Sequence, residues 1–306
     1  MGIINTIVTV FATITLFLFA VHKFARSVEH AAGEKFKSIL ATLTSTPVRG
    51  VVLGTLFTAL IQSSTATIVT TQSLVDAGLL SFTSSLGVVF GANIGTTLTS
   101  QLIAFKLTFI AGYVVLAGFL LDHLKIRYQK FGKAIFYFGL IFFCLSLISL
   151  YIEPLQTNPT ILNLLSHIDS MYVAILVGAL ITIAFQSSSI TSGLAIILAG
   201  QGLLTFDQAL GIVLGANVGT TSTALIVMFV MGTGARRTAV AHFLFNLIGM
   251  IIILPFLSIF SDFVQSLGGS TALQVANAHF IFNILSTIIF LIFLKPFANL
   301  VTGLVR

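Results

Sequence analysis

Two copies of a short polar motif interrupt apolar stretches of this sequence, Gln62-Ser63-Ser64-Thr65 and Gln186-Ser187-Ser188-Ser189. Consecutive polar side chains point around most of a helix circumference, so a regular helix cannot turn them all toward one neighbour. Buried polar groups without partners are costly in an apolar environment. Each motif therefore predicts a broken or locally unwound helix that lines a polar site.

Such a break offers groups that bind ions. Its free carbonyls and hydroxyl oxygens suit a hard cation such as Na⁺, and the N–H groups at the start of a half-helix suit an anion. No Arg, Lys or His lies near the centre of the motifs. A bound anion would need helix dipoles, aligned N–H groups and co-bound cations to offset its charge, which is a physical reason to expect cation coupling.

A second motif follows each copy of the first, Gly91-Ala92-Asn93-Ile94-Gly95-Thr96-Thr97 and Gly215-Ala216-Asn217-Val218-Gly219-Thr220-Thr221. Glycines four residues apart allow close helix approach or an unusual backbone dihedral. We expect Asn93 and Asn217 to cap half-helices, and the threonines to supply further oxygens. Helix packing through Ser, Thr and Gly is the alternative, but two copies of both motifs at matched spacing favour a ligand site.

The elements that carry these motifs are predicted to be membrane helices. Hydrophobic residues make up 57% of the 306 residues, charged residues only 7%, and the mean hydropathy is +1.12. A soluble domain usually has about 25% charged residues, so this composition excludes a soluble enzyme, a disordered chain and a nucleic-acid binder. One cysteine, Cys144, leaves no intramolecular disulfide. We predict a multi-pass protein of the cell membrane, which is the inner membrane in a cell that has two.

Apolar blocks predict the spans, since a bilayer core needs about 20 residues per helix. They are Ile3 to Ala20, Val48 to Leu74, Ser84 to Phe105, Leu107 to Leu121, Ala134 to Tyr151, Met171 to Leu198, Gln208 to Met231, Thr238 to Phe260 and Ala272 to Leu294. Basic residues follow the first block, so a retained helix is expected in place of a cleaved signal. No segment is predicted to form a soluble domain.

The basic residues between these blocks predict the topology, because cytoplasmic loops are rich in Lys and Arg. The clusters are Lys23, Arg26, Lys35, Lys37 and Arg49; Lys125, Arg127, Lys130 and Lys133; Arg236 and Arg237; and Lys295 with Arg306. All of them fall on one face only if residues 84–105 and 208–231 enter and leave by the same side. We therefore predict two re-entrant hairpins there, an external N-terminus and a cytoplasmic C-terminus.

The motifs belong to an internal repeat. The second set follows the first by 124 residues without a gap. Three full passes in the first unit would invert the second, as in secondary transporters with broken helices and a midplane site. The predicted fold is all-α, with inverted repeats at 1–121 and 122–260 and a C-terminal transmembrane helix in 261–306. A duplicated structural bundle without transport is the alternative.

The four motifs resemble those of the type II sodium-dependent inorganic phosphate cotransporter family. A downstream hexad adds to the resemblance, since Ala241-His242-Phe243-Leu244-Phe245-Asn246 recurs as Ala278-His279-Phe280-Ile281-Phe282-Asn283. The resemblance implies that the Gln-Ser-Ser regions hold phosphate and Na⁺, with Na⁺ as coupling ion and no other cofactor. The candidate binding residues are Gln62, Ser63, Ser64, Thr65, Asn93, Thr96, Thr97, Gln186, Ser187, Ser188, Ser189, Asn217, Thr220 and Thr221. The Na⁺ ions are expected at hydroxyl and backbone oxygens around Ser64, Thr65, Ser188 and Ser189.

The sequence departs from this family at two places. It ends at Arg306, so we expect a bacterial member without the soluble domain, resembling the phosphate-uptake regulator, that many bacterial relatives carry. Residues 98–113 hold no Asp or Glu, whereas electrogenic animal members carry an acidic residue there. The ratio of Na⁺ to phosphate is therefore left open.

The predicted function is a Na⁺-coupled phosphate symporter in a lipid bilayer, and not an enzyme. A transporter or exporter of another small oxyanion or carboxylate is one rival, and a channel lined by the Gly and Thr runs is another. His242 and His279 are either proton relays or hydrogen-bonded packing residues. The sequence leaves open the direction of flux and the oligomeric state, a homodimer among the options.

Overall fold

The computed structural model describes residues 3–32, 34–105, 107–124 and 129–306, so Lys106, Lys125 and Arg127 lie outside the described residues. Within these ranges every regular element is a helix, which confirms the all-α fold class. The first half contains α1 (Ile3–Ala32), α2 (Glu34–Leu43), α3 (Pro47–Ile61), α4 (Ser64–Asp76), α5 (Phe82–Ala104), α6 (Ala111–His123) and α7 (Gly132–Ile152). The second half contains α8 (Pro159–Ser166), α9 (Met171–Phe185), α10 (Ser188–Gly200), α11 (Phe206–Gly219), α12 (Ser222–Val227), α13 (Thr233–Ile253), α14 (Leu257–Ser266), α15 (Thr271–Ile292) and α16 (Leu294–Leu304).

Long apolar helices confirm a multi-pass membrane protein. Among the described residues, six helices are long and apolar enough to cross a bilayer, and a seventh span results if α8 and α9, which meet at 106°, count as one. A helix needs about 20 apolar residues to span. The legs α3 and α10, with 15 and 13 residues, are too short to cross alone.

The glycines of the first repeat place α3 and α5 side by side and parallel. A Cβ atom on Gly87 would collide with the carbonyl oxygen of Pro47, and one on Gly91 with that of Val51. The contacts advance in the same direction along both helices, so the two run parallel. The backbones approach this closely because glycine has no side chain. The glycines of the motif are therefore used for close packing.

Because α3 and α5 are parallel, α4, which follows α3 in sequence, must run antiparallel to both of them. The hydroxyls of Thr58 on α3 and Thr67 on α4 lie 3.0 Å apart, equally far in sequence from the break at Gln62 and Ser63. Helices α3 and α4 thus form a hairpin, which we call hairpin 1, with the Gln-Ser-Ser motif at its tip.

The second repeat has the same arrangement. A Cβ atom on Gly215 would collide with the carbonyl oxygen of Ile175, and one on Gly219 would lie 2.6 Å from that of Ala179, so α9 and α11 are parallel. The hydroxyls of Thr182 and Thr191 lie 2.8 Å apart across the break. Helices α9 and α10 form hairpin 2, with Gln186 and Ser187 at its tip.

The hairpins predicted at residues 84–105 and 208–231 are therefore wrong. The first of these segments is the continuous helix α5, and Phe206–Val230 forms one apolar span. The chain turns at the Gln-Ser-Ser motifs, while the Gly-Ala-Asn segments remain helical because their glycines pack against the hairpin legs. Each half of the chain exchanges one predicted pass for one hairpin, so the number of passes between the basic clusters is the same as in the predicted topology. Their location on one face of the membrane remains a prediction.

The base of each hairpin is bonded to the other half of the chain. The Asp76 carboxylate at the base of hairpin 1 accepts a hydrogen bond of 2.7 Å from Gly232 N, just before α13 and its Arg236. We call this end of the molecule the Arg236 face. At the base of hairpin 2, Gln201 Nε2 donates to Ser149 O at 2.7 Å, near the end of α7. The end of α5 at Ala104 lines a cavity with Gly200, also at the base of hairpin 2.

Candidate functional site

The two hairpin tips have the same backbone conformation. Gln62 and Gln186 have φ angles of 57° and 53°, and they are the non-glycine residues with positive φ among the described residues. This left-handed conformation costs an ordinary side chain about 1–2 kcal/mol. In each tip the next residue, Ser63 or Ser187, is extended and precedes a new helix. Glycine is the usual residue in this conformation, so a glutamine here is expected to make hydrogen bonds that offset the strain.

The amides of both glutamines bind the tips to neighbouring helices, α5 for Gln62 and α12 for Gln186. Gln62 Oε1 accepts from the Thr99 hydroxyl on α5 at 2.6 Å, and its Nε2 donates to Ala59 O. Gln186 Oε1 accepts from the Thr223 hydroxyl on α12, and its Nε2 donates to Ile183 O at 2.7 Å. Both glutamines therefore hold their tips in position.

The two tips meet at one cavity of about 270 Å³. Nine of the predicted site residues line it: Gln62, Ser63, Ser64, Thr65, Gln186, Ser187, Ser188, Ser189 and Thr220. Motifs separated by more than a hundred residues in sequence are thus brought together, as expected of a shared site. Helix α1 completes the wall with Leu18, Val21, His22 and Ala25.

The other five predicted residues do not line this cavity. Hydroxyls or amides of four of them donate to carbonyls of their own helices at 2.7–2.9 Å, and these residues are Asn93, Thr96, Thr97 and Thr221. The fifth, Asn217, contacts His279 on α15. The predicted capping role of Asn93 and Asn217 is wrong, because they lie within α5 and α11, whose N-caps are Ser81 and Thr205.

Helix ends determine the electrostatics of the cavity. The 13-residue helices α4 and α10 both begin at it, so two positive dipole ends and their free N–H groups converge there. Ser63 Oγ accepts from Ala66 N at 3.2 Å, whereas the Ser187 side chain makes no capping bond. Among the described residues that line the cavity, none is a carboxylate that would repel an anion. This arrangement suits a small anion with several acceptor oxygens.

His22 is a lining residue that the sequence did not identify. It lies on α1 and is exposed. Among the described lining residues, it is the one with a basic side chain. Its position in the cavity depends on how α1 packs beside the hairpins. No spacing or motif links it to the Gln-Ser-Ser segments, so only tertiary structure could reveal it.

The two tips differ in exposure. Gln62 is 9% exposed, whereas Gln186 and the preceding Phe185 are exposed. Gln186 is bonded to Thr223 on α12, the short helix that precedes α13 and the Arg236 face. Gln62 is bonded to Thr99, near the opposite end of α5. The tip of hairpin 2 is therefore more exposed than the tip of hairpin 1, and it lies toward the Arg236 face.

Comparison with known proteins gives consistent matches. A family model described as Na⁺/Pi-cotransporter matches residues 16–150 and 157–294. Uncharacterized protein YqeW of Bacillus subtilis (strain 168) is 34% identical over 84% of this chain and 84% of its own length. The putative inorganic phosphate export protein YjbB of Escherichia coli (strain K12) is 28% identical over 86% of this chain, which spans about half (49%) of that protein. Sodium-dependent phosphate transport protein 2C of Homo sapiens is 39% identical over 26% of this chain and 14% of its own length. No solved structure matches the chain.

Proposed function

The chain belongs to the Na⁺/Pi-cotransporter family, and on that premise we propose that it carries inorganic phosphate across the membrane together with Na⁺. The observation that carries this proposal is the convergence of two helix N-termini, from separate hairpins, on one cavity. Its described lining residues include several hydroxyls and no carboxylate. Phosphate has the charge and the acceptor oxygens that such N–H groups bind.

Each hairpin tip has groups for both ligands. The N–H groups that begin α4 and α10, with the hydroxyls of Ser64 and Ser188, would bind phosphate. The last carbonyls of α3 and α9 end at the same tips and carry the negative end of the helix dipole. These carbonyls and the hydroxyls of Thr65 and Ser189 would bind Na⁺, which supplies the positive charge that the tips lack.

Transport would proceed by alternating access between inverted repeats. The start of α5 packs beside the base of hairpin 1, while its end lies near the base of hairpin 2, which supports hairpins that enter from opposite faces. The inverted units at 1–121 and 122–260, followed by the helix in 261–306, remain our assignment of the repeat. Movement of the tips relative to each other would then expose the cavity to one side at a time.

The orientation that we propose has the Arg236 face in the cytoplasm, because the predicted topology puts the basic clusters at that face. The loop at Gly78 should then be cytoplasmic and the loop at Gly202 external. Cysteines introduced as Gly78→Cys and Gly202→Cys in a Cys144→Ala background should be labelled by an impermeant maleimide from opposite sides of the membrane. Labelling of both from one side would contradict this topology.

Uptake of labelled phosphate into proteoliposomes tests the transport function. A Na⁺ gradient of either sign should drive phosphate accumulation in the direction of Na⁺ flow, and equal K⁺ should not. One relative is named an export protein. In the coupled mechanism that we propose, the gradients in the cell would set the direction of phosphate transport. Phosphate flux that no gradient of Na⁺ can drive uphill would instead favour an uncoupled exporter or a channel.

A further inference from the structure

His279 on α15 joins the two long helices that support the hairpins. Its imidazole is 1% exposed, with Nδ1 at 2.9 Å from Ser100 Oγ on α5 and Nε2 at 2.9 Å from Asn217 Oδ1 on α11. Since an amide oxygen can only accept, Nε2 carries the proton and Nδ1 accepts from the Ser100 hydroxyl. One side chain therefore bonds to both halves of the repeat.

The bonds of His279 lie toward the end of the molecule opposite to the Arg236 face. Ser100 is about one turn before the end of α5 at Ala104. Next to it, Gln101 Nε2 donates to Asn277 Oδ1 at 3.0 Å. A Cβ atom on Gly193 of hairpin 2 would lie 3.0 Å from the Ile103 side chain. The two halves are thus in close contact at this end.

His242 has the same place in the other hexad but not the same bonds. Helix α13 packs along α4 and α5, as α15 packs along α10 and α11. The imidazole of His242 is 2% exposed, and neither ring nitrogen has a hydrogen-bond partner among the described residues. A fully buried, unpaired polar ring is costly, and a hydrogen-bond partner in another conformation would offset that cost.

The register of α13 against α5 indicates that partner. Ser85 Oγ lies 3.1 Å from Thr238 Oγ1, and the rings of Phe90 and Phe245 stack at 4.7 Å. His242 is then about one turn short of Asn93, the residue that the repeat places opposite Asn217. A one-turn displacement of packed helices is a known switching motion.

We propose that His279 and His242 are alternate clamps, an inference that rests on the proposed function. In the described conformation the His279 clamp closes the external side, and the cavity opens toward the Arg236 face, where hairpin 2 is exposed. In the opposite conformation the His279 bonds break, α13 moves one turn along α5, and His242 bonds to Asn93. Both histidines are positioning residues, since neither lines the cavity.

Cysteine accessibility without phosphate tests this proposal. In a Cys144→Ala background, Ala276→Cys reports on the external side, since Ala276 is 0% exposed and lies beside Asn277, the partner of Gln101, and Ala25→Cys reports on the cavity. His279→Ala should raise external labelling of the first reporter about tenfold, because each of the two lost bonds is worth about threefold. It should lower cytoplasmic labelling of the second. His242→Ala should lower external labelling of the first reporter and raise cytoplasmic labelling of the second.

Ser100→Ala provides a milder variant if His279→Ala folds poorly. It removes one bond and should raise external labelling about threefold. A purely structural role would lower the stability of both histidine variants without opposite shifts in accessibility. Shifts in the same direction, or no shift in either variant, would overturn the clamp. The assay contains no phosphate, so a failure of phosphate transport would appear separately, in the uptake experiment.

Discussion

A carboxylate at the start of α10 should abolish phosphate binding. Ser188→Asp places a negative charge on a residue that is 4% exposed and lines the cavity. Two unit charges about 5 Å apart repel by roughly 3 kcal/mol at an effective dielectric constant of 20, which is more than a hundredfold in affinity. Calorimetric titration of purified protein should detect no phosphate binding at concentrations that saturate the wild type.

The matched control is Ser188→Asn, because an asparagine side chain has nearly the same size as an aspartate side chain but no charge. It should lose less than tenfold in phosphate affinity, because it deletes one hydroxyl but can still donate through its amide. Ser64→Asp and Ser64→Asn repeat the comparison at hairpin 1. Equal affinities in the Asp and Asn variants would mean that the anion does not bind at these helix starts.

Gln62→Ala should lower phosphate affinity by about tenfold to a hundredfold. The substitution removes both hydrogen bonds that hold the tip of hairpin 1, to Thr99 and to Ala59, and each bond contributes about 1 kcal/mol. Gln62→Gly should lose similar affinity but be about 1 kcal/mol more stable than Gln62→Ala, because glycine adopts positive φ without strain. Calorimetry and thermal unfolding in detergent measure the two effects.

A double-mutant cycle shows whether the bond to Thr99 is responsible. Thr99→Val removes the hydroxyl with little change in shape, and the pair Gln62→Ala with Thr99→Val should lose less affinity than the sum of the single variants. Full additivity would show that the two side chains act independently. The position of the tip would then have another origin.

The broken helices and the close glycine packing could be predicted from the sequence, because each follows from local residue chemistry. Consecutive polar residues at Gln62 and Gln186 cannot continue inside a buried helix, and glycines four apart allow backbone contact. Where the chain reverses could not be predicted. Hairpin 1 has legs of 15 and 13 residues, and together they resemble one polar-interrupted span in a hydropathy window.

The roles of Asn93 and His22 depended on tertiary structure. Asn93 appears free to cap a helix until its amide is seen to donate to Val89 O at 2.8 Å within α5. His22 reaches the cavity only because α1 packs beside both tips. Repetition of a motif therefore indicated that these segments matter, but it did not separate the residues that face the ligand from those that pack the helices.

Phosphate affinity across a Na⁺ series tests the central claim most directly. At constant ionic strength, with choline in place of Na⁺, calorimetry on purified protein should show phosphate binding that strengthens as Na⁺ rises. By linkage, phosphate should strengthen Na⁺ binding by the same factor. This reciprocity is expected because Na⁺ supplies the charge that the hairpin tips lack. Tight phosphate binding that is equal in Na⁺ and in choline would contradict the account.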